Sequence, residues 1–237
     1  MTDLPLFGKL ALVTGASRGI GAATALALGK AGAHVILTAR HAEGLEKVEQ
    51  AIFDAGGSAT IAPLDLTEAD GIGRLATAIG GRWKSLDILV LNAAMLGELA
   101  AVPAIDAKQF ARLLTLNVSA PQALIAAFDP MMRASADCRL IALTSSVGAT
   151  PRAFWGAYGA SKAALDTLIG AYGEEMKNIS AIRTCIVDPG ATRTAMRAKA
   201  FPGEDPAKLK TADVVADKIV DIVTANTPTG TRIRVEG

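Results

Sequence analysis

Tyr158 and Lys162 stand four residues apart in Tyr158-Gly159-Ala160-Ser161-Lys162. On a helix that spacing puts both side chains on one face, so a phenol and an ammonium project into the same space. A free tyrosine titrates near about 10 and is a poor proton carrier at neutral pH. A cation alongside favours the phenolate and lowers that value. The spacing therefore predicts a Tyr158 acidic enough to pass a proton to or from a substrate oxygen. Ser145 precedes Tyr158 by 13 residues, in Leu143-Thr144-Ser145-Ser146-Val147-Gly148. A hydroxyl at a strand end can donate to a carbonyl and stabilise a developing alkoxide. Ser146 points to the other face if the strand continues, so Ser145 is the expected donor and Ser146 the turn former. A Tyr-x3-Lys pair alone is also what a solvated helix surface shows. The added serine is what makes it a candidate for chemistry.

A second constellation lies near the start of the chain, in Thr14-Gly15-Ala16-Ser17-Arg18-Gly19-Ile20-Gly21. It follows an apolar strand-like run and opens a helix-like one. Glycines permit a tight turn and close approach of a ligand to the backbone. A helix N-terminus offers unpaired N–H groups and a partial positive charge to a pyrophosphate. Glycine turns of this kind, placed between strand and helix, predict a dinucleotide site. A site for NAD usually has a carboxylate at the end of the second strand, on the ribose 2′-OH. Here that strand ends Leu37-Thr38-Ala39-Arg40. A guanidinium suits a 2′-phosphate, which it can bind through two parallel hydrogen bonds. Arg18, inside the glycine turn, can reach the same phosphate. NADP(H) is therefore expected in preference to NAD(H).

Three further stretches end strand-like runs: Leu64-Asp65-Leu66-Thr67, Leu91-Asn92-Ala93-Ala94 and Asp188-Pro189-Gly190-Ala191-Thr192. Asp65 suits a helix N-cap region, with Thr67 as cap. Pro189 and Gly190 give a rigid turn that can bring backbone groups to a nicotinamide. Asn117, in Leu114-Thr115-Leu116-Asn117-Val118, falls inside a helical stretch, where asparagine is mildly unfavourable and can bend the helix or bind water.

Together these motifs resemble the short-chain dehydrogenase/reductase family, and in family order they cover nearly all of the chain. The glycine spacing is Gly-x3-Gly-x-Gly, and Gly148 follows Ser145 by three residues as the family's pattern has it. The resemblance implies that Ser145, Tyr158 and Lys162 are catalytic. It also implies that Asn117 holds a water linking Lys162 to solvent. Asp65, with Leu66 beside it, would meet the adenine. Asn92, Ala93 and Ala94 would line the cofactor, as would Gly15, Ser17, Gly19, Ile20 and Gly21. Pro189 and Gly190, with Thr192 or Thr194, would lie near the carboxamide, and Lys162 would hold the nicotinamide ribose. Leu91 and Ala94 depart from the family's usual Asn-Asn-Ala-Gly, and Ala94 adds a methyl near the cofactor.

Short strand-like runs alternate with longer Ala-rich helical ones. Strands are predicted at Lys9–Thr14, His34–Ala39, Ala59–Leu64, Asp87–Leu91, Arg139–Thr144, Ile182–Val187 and Arg232–Val235. Helices are predicted over Gly19–Ala31, Glu43–Ala55, Glu68–Gly80, Asp106–Arg133, Ala157–Asn178, Thr194–Ala200 and Ala212–Thr224. Alternation of this kind implies parallel βαβ units. The expected fold is a three-layer, Rossmann-like, doubly wound parallel sheet of about seven strands with helices on both faces, a single domain over residues 1–237. In such sheets ligands bind beyond the carboxyl ends of the strands, where the motifs fall. A substrate loop is expected near 193–210, with Met95, Leu96, Val147, Phe154, Trp155 and Met196 around an apolar pocket.

Composition narrows the partners. Hydrophobic residues make up 51% of the chain and aromatics 4%, which suits a covered sheet and argues against a base-stacking surface. With 24 basic and 23 acidic residues and no long run of one sign, no phosphate-backbone face is expected. No apolar stretch of about 18 residues suggests a membrane span. Met1–Gly8 makes a poor signal peptide, so a cytoplasmic protein is expected. Cys138 and Cys185 are expected as buried thiols. The expected reaction is hydride transfer between NADP(H) and a small carbonyl or alcohol, with a non-catalytic NADP-binding sensor or scaffold as the alternative. The resemblance also implies a homotetramer or homodimer.

Overall fold

In a computed structural model, residues 4–236 are described. Met1–Asp3 and Gly237, part of the signal-peptide and single-domain expectations, lie outside them. Successive residues of the strand Leu10–Thr14 (β1) feed opposite cores, Ala11 and Val13 into one and Leu10 and Leu12 into the other. That is the two-residue period of a strand covered on both faces. The same division holds along His34–Ala39 (β2), Ile88–Leu91 (β4), Cys138–Leu143 (β5) and Ile182–Asp188 (β6). Ser58–Pro63 (β3) and Thr231–Arg234 (β7) form the half-exposed edges. All pairings are parallel, in the order β3-β2-β1-β4-β5-β6-β7.

One core lies under Gly19–Lys30 (α1), Ala42–Asp54 (α2) and Ala212–Thr224 (α9). The other lies under Gly71–Gly80 (α3), Ala120–Arg133 (α5) and Gly156–Met176 (α7). Ala107–Leu114 (α4), Ser146–Ala149 (α6) and Ala195–Ala200 (α8) lie between them in sequence at the sheet's carboxyl edge. The chain runs outward from β1 to β3 and then returns to β4 on the other side of β1. The loops after β1 and β4 therefore part, and that divergence opens the crevice in which this architecture binds ligands.

The predicted helix at Glu68 begins instead at Gly71. Thr67 is not its cap: the Asp65 carboxylate accepts from Thr67 N at 2.9 Å and Thr67 Oγ1 at 2.7 Å, closing a turn, and Asp70 is left-handed at φ 58°. The predicted helix Asp106–Arg133 is split by a π turn, Thr115–Ser119, that contains Asn117. Such turns insert a residue into a helix and gather at functional sites. The one-turn helix Ser146–Ala149 carried no periodicity long enough to be read from sequence. The remaining boundaries move by one or two residues, the usual fraying. Cys138 and Cys185 are both buried free thiols. Among the described residues no helix is long and apolar enough to cross a membrane.

Candidate active site

The glycine turn is held from below by a buried threonine. Thr14 Oγ1 donates to Val90 O at 3.1 Å and accepts from Asn92 N and Ala93 N, each at 3.0 Å. Asn92 Nδ2 in turn donates to Thr14 O at 2.9 Å and Gly15 O at 3.2 Å. The end of β4 is thus tied to the turn after β1, and the Asn92 amide acts as a brace on the backbone of the glycine turn. Ala93 and Ala94 follow it, half-buried, along the crevice.

The glycines answer separate demands. Gly15 has φ +66°, and a Cβ there would come within 2.9 Å of Asn92 Nδ2. Gly21 is helical, but a Cβ would fall 2.3 Å from Gly15 O. Gly19 has φ +57°, and an added Cβ would make only an ordinary contact, with Thr194 Cγ2 at 3.6 Å. Arg18, at the N-cap of α1, makes no side-chain cap bond, and no acid stands in the first turn. The first N–H groups of α1 therefore remain for an anion, which fits a pyrophosphate. Ile20 leans on the core with its side chain half-buried.

Ser17 lies against the start of α2: a Cβ on Gly44 would meet Ser17 Cβ at 2.8 Å. That contact brings Arg18, next to Ser17, towards Arg40, which leads into α2. Both arginines are exposed, and among the described residues neither makes an ion pair. A cleft of about 580 Å³ opens here, lined by Arg40, His41, Leu64, Asp65 and Arg74. The Thr67 hydrogen bonds, aided by the charges of Arg40 and Arg112, hold the Asp65 carboxyl below its ordinary range. Its other oxygen remains free for an adenine-type donor. The Leu66 side chain is buried, so only its backbone can face a ligand.

At the other end of the crevice α6 and α7 pack through glycines. A Cβ on Gly148 would lie 3.0 Å from Lys162 Cβ, and one on Gly159 would lie 2.8 Å from Val147 O. This close docking carries Ser145 alongside the first turns of α7. Ser145 is half-buried and extended, and its hydroxyl caps nothing. Tyr158 and Lys162 are both buried, on one face of α7 as predicted, with Nζ 5.7 Å from the phenol ring centroid.

The electrostatics depart from expectation. Lys162 Nζ donates to Leu143 O at 2.8 Å, and burial brings its pKa down to about 8, against a partial opposing pull from Asp166. Burial, then the Asp188 carboxylate, pushes the Tyr158 phenol well above its ordinary range. The acidification expected from Lys162 is not seen in the folded chain: burial and the Asp188 carboxylate raise the phenol, and the ammonium is itself buried and directed at a carbonyl. A phenol so raised is placed to start as a proton donor.

Asn117, buried at the π turn, spends its side chain on protein partners. Its Oδ1 accepts from Met95 N at 2.9 Å, and its Nδ2 donates to Met95 O at 2.9 Å and Ser161 Oγ at 3.1 Å. Ser161 Oγ donates to Tyr158 O at 2.7 Å. Both amide hydrogens are engaged, so the side chain clamps the 95 loop to the Tyr158 helix. After β6, Thr192 Oγ1 donates to Pro189 O at 2.8 Å, Gly190 has φ +59°, and Thr194 Oγ1 caps α8 through Arg197 N at 3.1 Å. Thr194 is the one of the two threonines beside the glycine turn.

Met196 Sδ stands 4.0 Å from Tyr158 OH. Trp155 meets the Tyr158 ring edge-on at 6.0 Å and stacks on Phe201 at 5.6 Å. Arg197 binds Glu204 through two hydrogen bonds of 2.6 Å, fastening the segment after α8. Sequence reasoning passed over Thr14, Ser161, Asp188 and Phe201. The signals were present for three of them: Thr14 and Ser161 sit inside the motifs, and Asp188 ends a strand.

A sequence model of the family described as short chain dehydrogenase matches residues 9–205. The oxidoreductase YciK of Escherichia coli K12 is 36% identical over 211 residues, 87% of this chain and 83% of that protein. A fatty acyl-CoA reductase of Acinetobacter baylyi is 40% identical over 161 residues, 67% of this chain but 54% of its own length. A short chain dehydrogenase of Shigella flexneri 2a complexed with NADP superposes with a TM-score of 0.94 at 33% identity, over 100% of both chains. One from Escherichia coli CFT073 complexed with NADPH gives 0.93 at 34%, again over 100% of both.

Proposed function

The chain belongs to the short-chain dehydrogenase family of oxidoreductases, and from that premise we propose that it reduces a carbonyl with NADPH, or oxidises the matching alcohol with NADP⁺, with Tyr158 moving the proton. The observation that carries this reading is the buried, neutral Tyr158 phenol beside Lys162 and the uncommitted Ser145 hydroxyl, at the crevice between the β1 and β4 loops. The bound nicotinamide would supply or accept the hydride. Ser145 and Tyr158 donate hydrogen bonds to the carbonyl oxygen and so stabilise the charge that grows on it. Tyr158 then gives up its proton. Lys162 supports the resulting phenolate by its charge, and would hold the nicotinamide ribose in exchange for Leu143 O. Gly15, Gly19 and the first turn of α1 would hold the pyrophosphate, and Asp65 and Asn92 would flank the rest of the dinucleotide.

Burial keeps the phenol protonated, the state from which the reduction direction starts. An NADPH-consumption screen over a panel of aldehydes and ketones tests the reading. No turnover of any carbonyl would overturn it.

NADP preference is supported by the two arginines without acidic partners and by the NADP and NADPH complexes of similar proteins. Arg40→Ser together with Arg18→Ala is expected to weaken NADPH binding about a hundredfold, the worth of two charge-assisted contacts, and to leave NADH nearly unchanged. Cofactor-fluorescence titration reads both. An equal loss for the two cofactors would defeat the argument.

Lys162 sets a pH limit. Its ammonium is lost as pH rises through about 8, so kcat/KM is expected to fall above that value. Stability has the opposite sign. Folding holds this lysine below its ordinary range, so the unfolded chain binds the extra proton between the two values, and the contribution of Lys162 to stability grows with pH there. Parallel pH series of kcat/KM and of Tm, for wild type and Lys162→Met, check both signs.

A further inference from the structure

We infer that the substrate carries a carboxylate at a short distance from its reacting carbonyl, and that Arg152 binds it. This rests on the carbonyl-reductase reading and adds a substrate class to it.

Two guanidinium groups flank the aromatic pair beside Tyr158. Arg197 lies over Phe201 at 3.8 Å, and its fork is closed on Glu204 by two hydrogen bonds of 2.6 Å. Its charge is cancelled in place. Arg152 lies over the same Phe201 ring at 5.3 Å and over Trp155 at 5.8 Å. Among the described residues it makes no ion pair and no side-chain hydrogen bond. Ring faces attract a guanidinium without using its N–H groups. Arg152, exposed, thus lies against two rings while its donors stay available.

A planar fork with free parallel donors matches a carboxylate, which it can bind at both oxygens. Trp155 is the link in distance. Its ring is 6.0 Å from that of Tyr158 and 5.8 Å from the Arg152 guanidinium. The proton donor and the free cation are therefore separated by one indole. A small molecule with its carbonyl at Tyr158 and an apolar middle along Trp155 places an anionic end at Arg152. Met196 at the Tyr158 hydroxyl and Phe201 stacked on Trp155 add apolar surface beside that path.

The test compares 4-carboxybenzaldehyde with its methyl ester, which differ in charge but not in the reacting group. Wild type is expected to favour the acid at least tenfold in kcat/KM, mostly through KM. Arg152→Gln should remove that preference and leave the ester unchanged, and Arg152→Lys should keep only part of it. Equal kcat/KM for the two compounds in wild type, or a preference that survives Arg152→Gln, overturns the inference. A readout independent of turnover separates its failure from that of the carbonyl reading. The chain has 2 tryptophans, so Trp83→Phe leaves Trp155 as the reporter. Saturable quenching of Trp155 by terephthalate that Arg152→Gln abolishes supports the site even if no aldehyde is reduced. Quenching unaffected by Arg152→Gln overturns it.

Discussion

Tyr158→Phe is expected to lower turnover about a thousandfold, within the range general acid catalysis contributes, and to leave NADPH affinity within about twofold. The change removes one oxygen atom. The ring stays packed edge-on to Trp155, and the helix keeps the Ser161 bond, which uses the Tyr158 backbone carbonyl and not its hydroxyl. The folded protein gives the hydroxyl no strong partner, its nearest neighbour being Met196 Sδ at 4.0 Å. Stability should therefore change little, since no buried hydrogen bond is broken. Stopped-flow NADPH oxidation and a thermal melt separate the two effects. Turnover that persists at a tenth of wild type would mean that another group carries the proton, and Ser145 would be the first to examine.

The second large effect falls on binding. Gly21→Ala is expected to destabilise the protein by about 1–3 kcal/mol, as overpacking does, and to weaken NADPH binding more than tenfold. The added methyl would lie 2.3 Å from Gly15 O and 2.4 Å from Asn92 Nδ2. Neither neighbour can yield alone. Gly15 O is fixed backbone, and the Asn92 amide is what joins the glycine turn to β4. Relief requires α1 to move away from the turn, which misaims the N–H groups that receive the pyrophosphate. Gly73→Ala is the control. It lies in a helix with nothing within 4 Å of an added Cβ, so it should be neutral or stabilising by up to about 1 kcal/mol. Melting temperature and cofactor titration on both variants decide the matter, and equal behaviour of the two would refute the steric account.

The sheet and the place of the site were legible from sequence because they depend on periodicity. Alternating apolar runs and helices force a parallel sheet, and chemistry-bearing residues at strand ends must then share one edge. Charge states were not legible, because they depend on burial. The spacing of Tyr158 and Lys162 says that they share a helix face; it does not say that Nζ turns to Leu143 O or that desolvation lifts the phenol. Asn117 was noticed as an oddity in a helix, but its partners come from residues 22 and 44 positions away, which no local pattern records. The helix at Glu68 failed for a local reason: a turn closed by Asp65 on Thr67 displaced a weak helical preference.

The reacting end and the wall that faces it are fastened by different kinds of bond. Thr14, Asn92 and Asn117 reach mainly to backbone groups, whose chemistry is the same whatever side chains a descendant carries. Met196, Phe201 and Arg152 meet the site through side-chain contacts, with Tyr158, with Trp155 and with the Phe201 ring respectively. Single-codon changes in that second set can therefore exchange one clientele of molecules for another while the hydride and proton steps are inherited intact. Lineages descending from this chain should diverge first in what they accept and last in how they react.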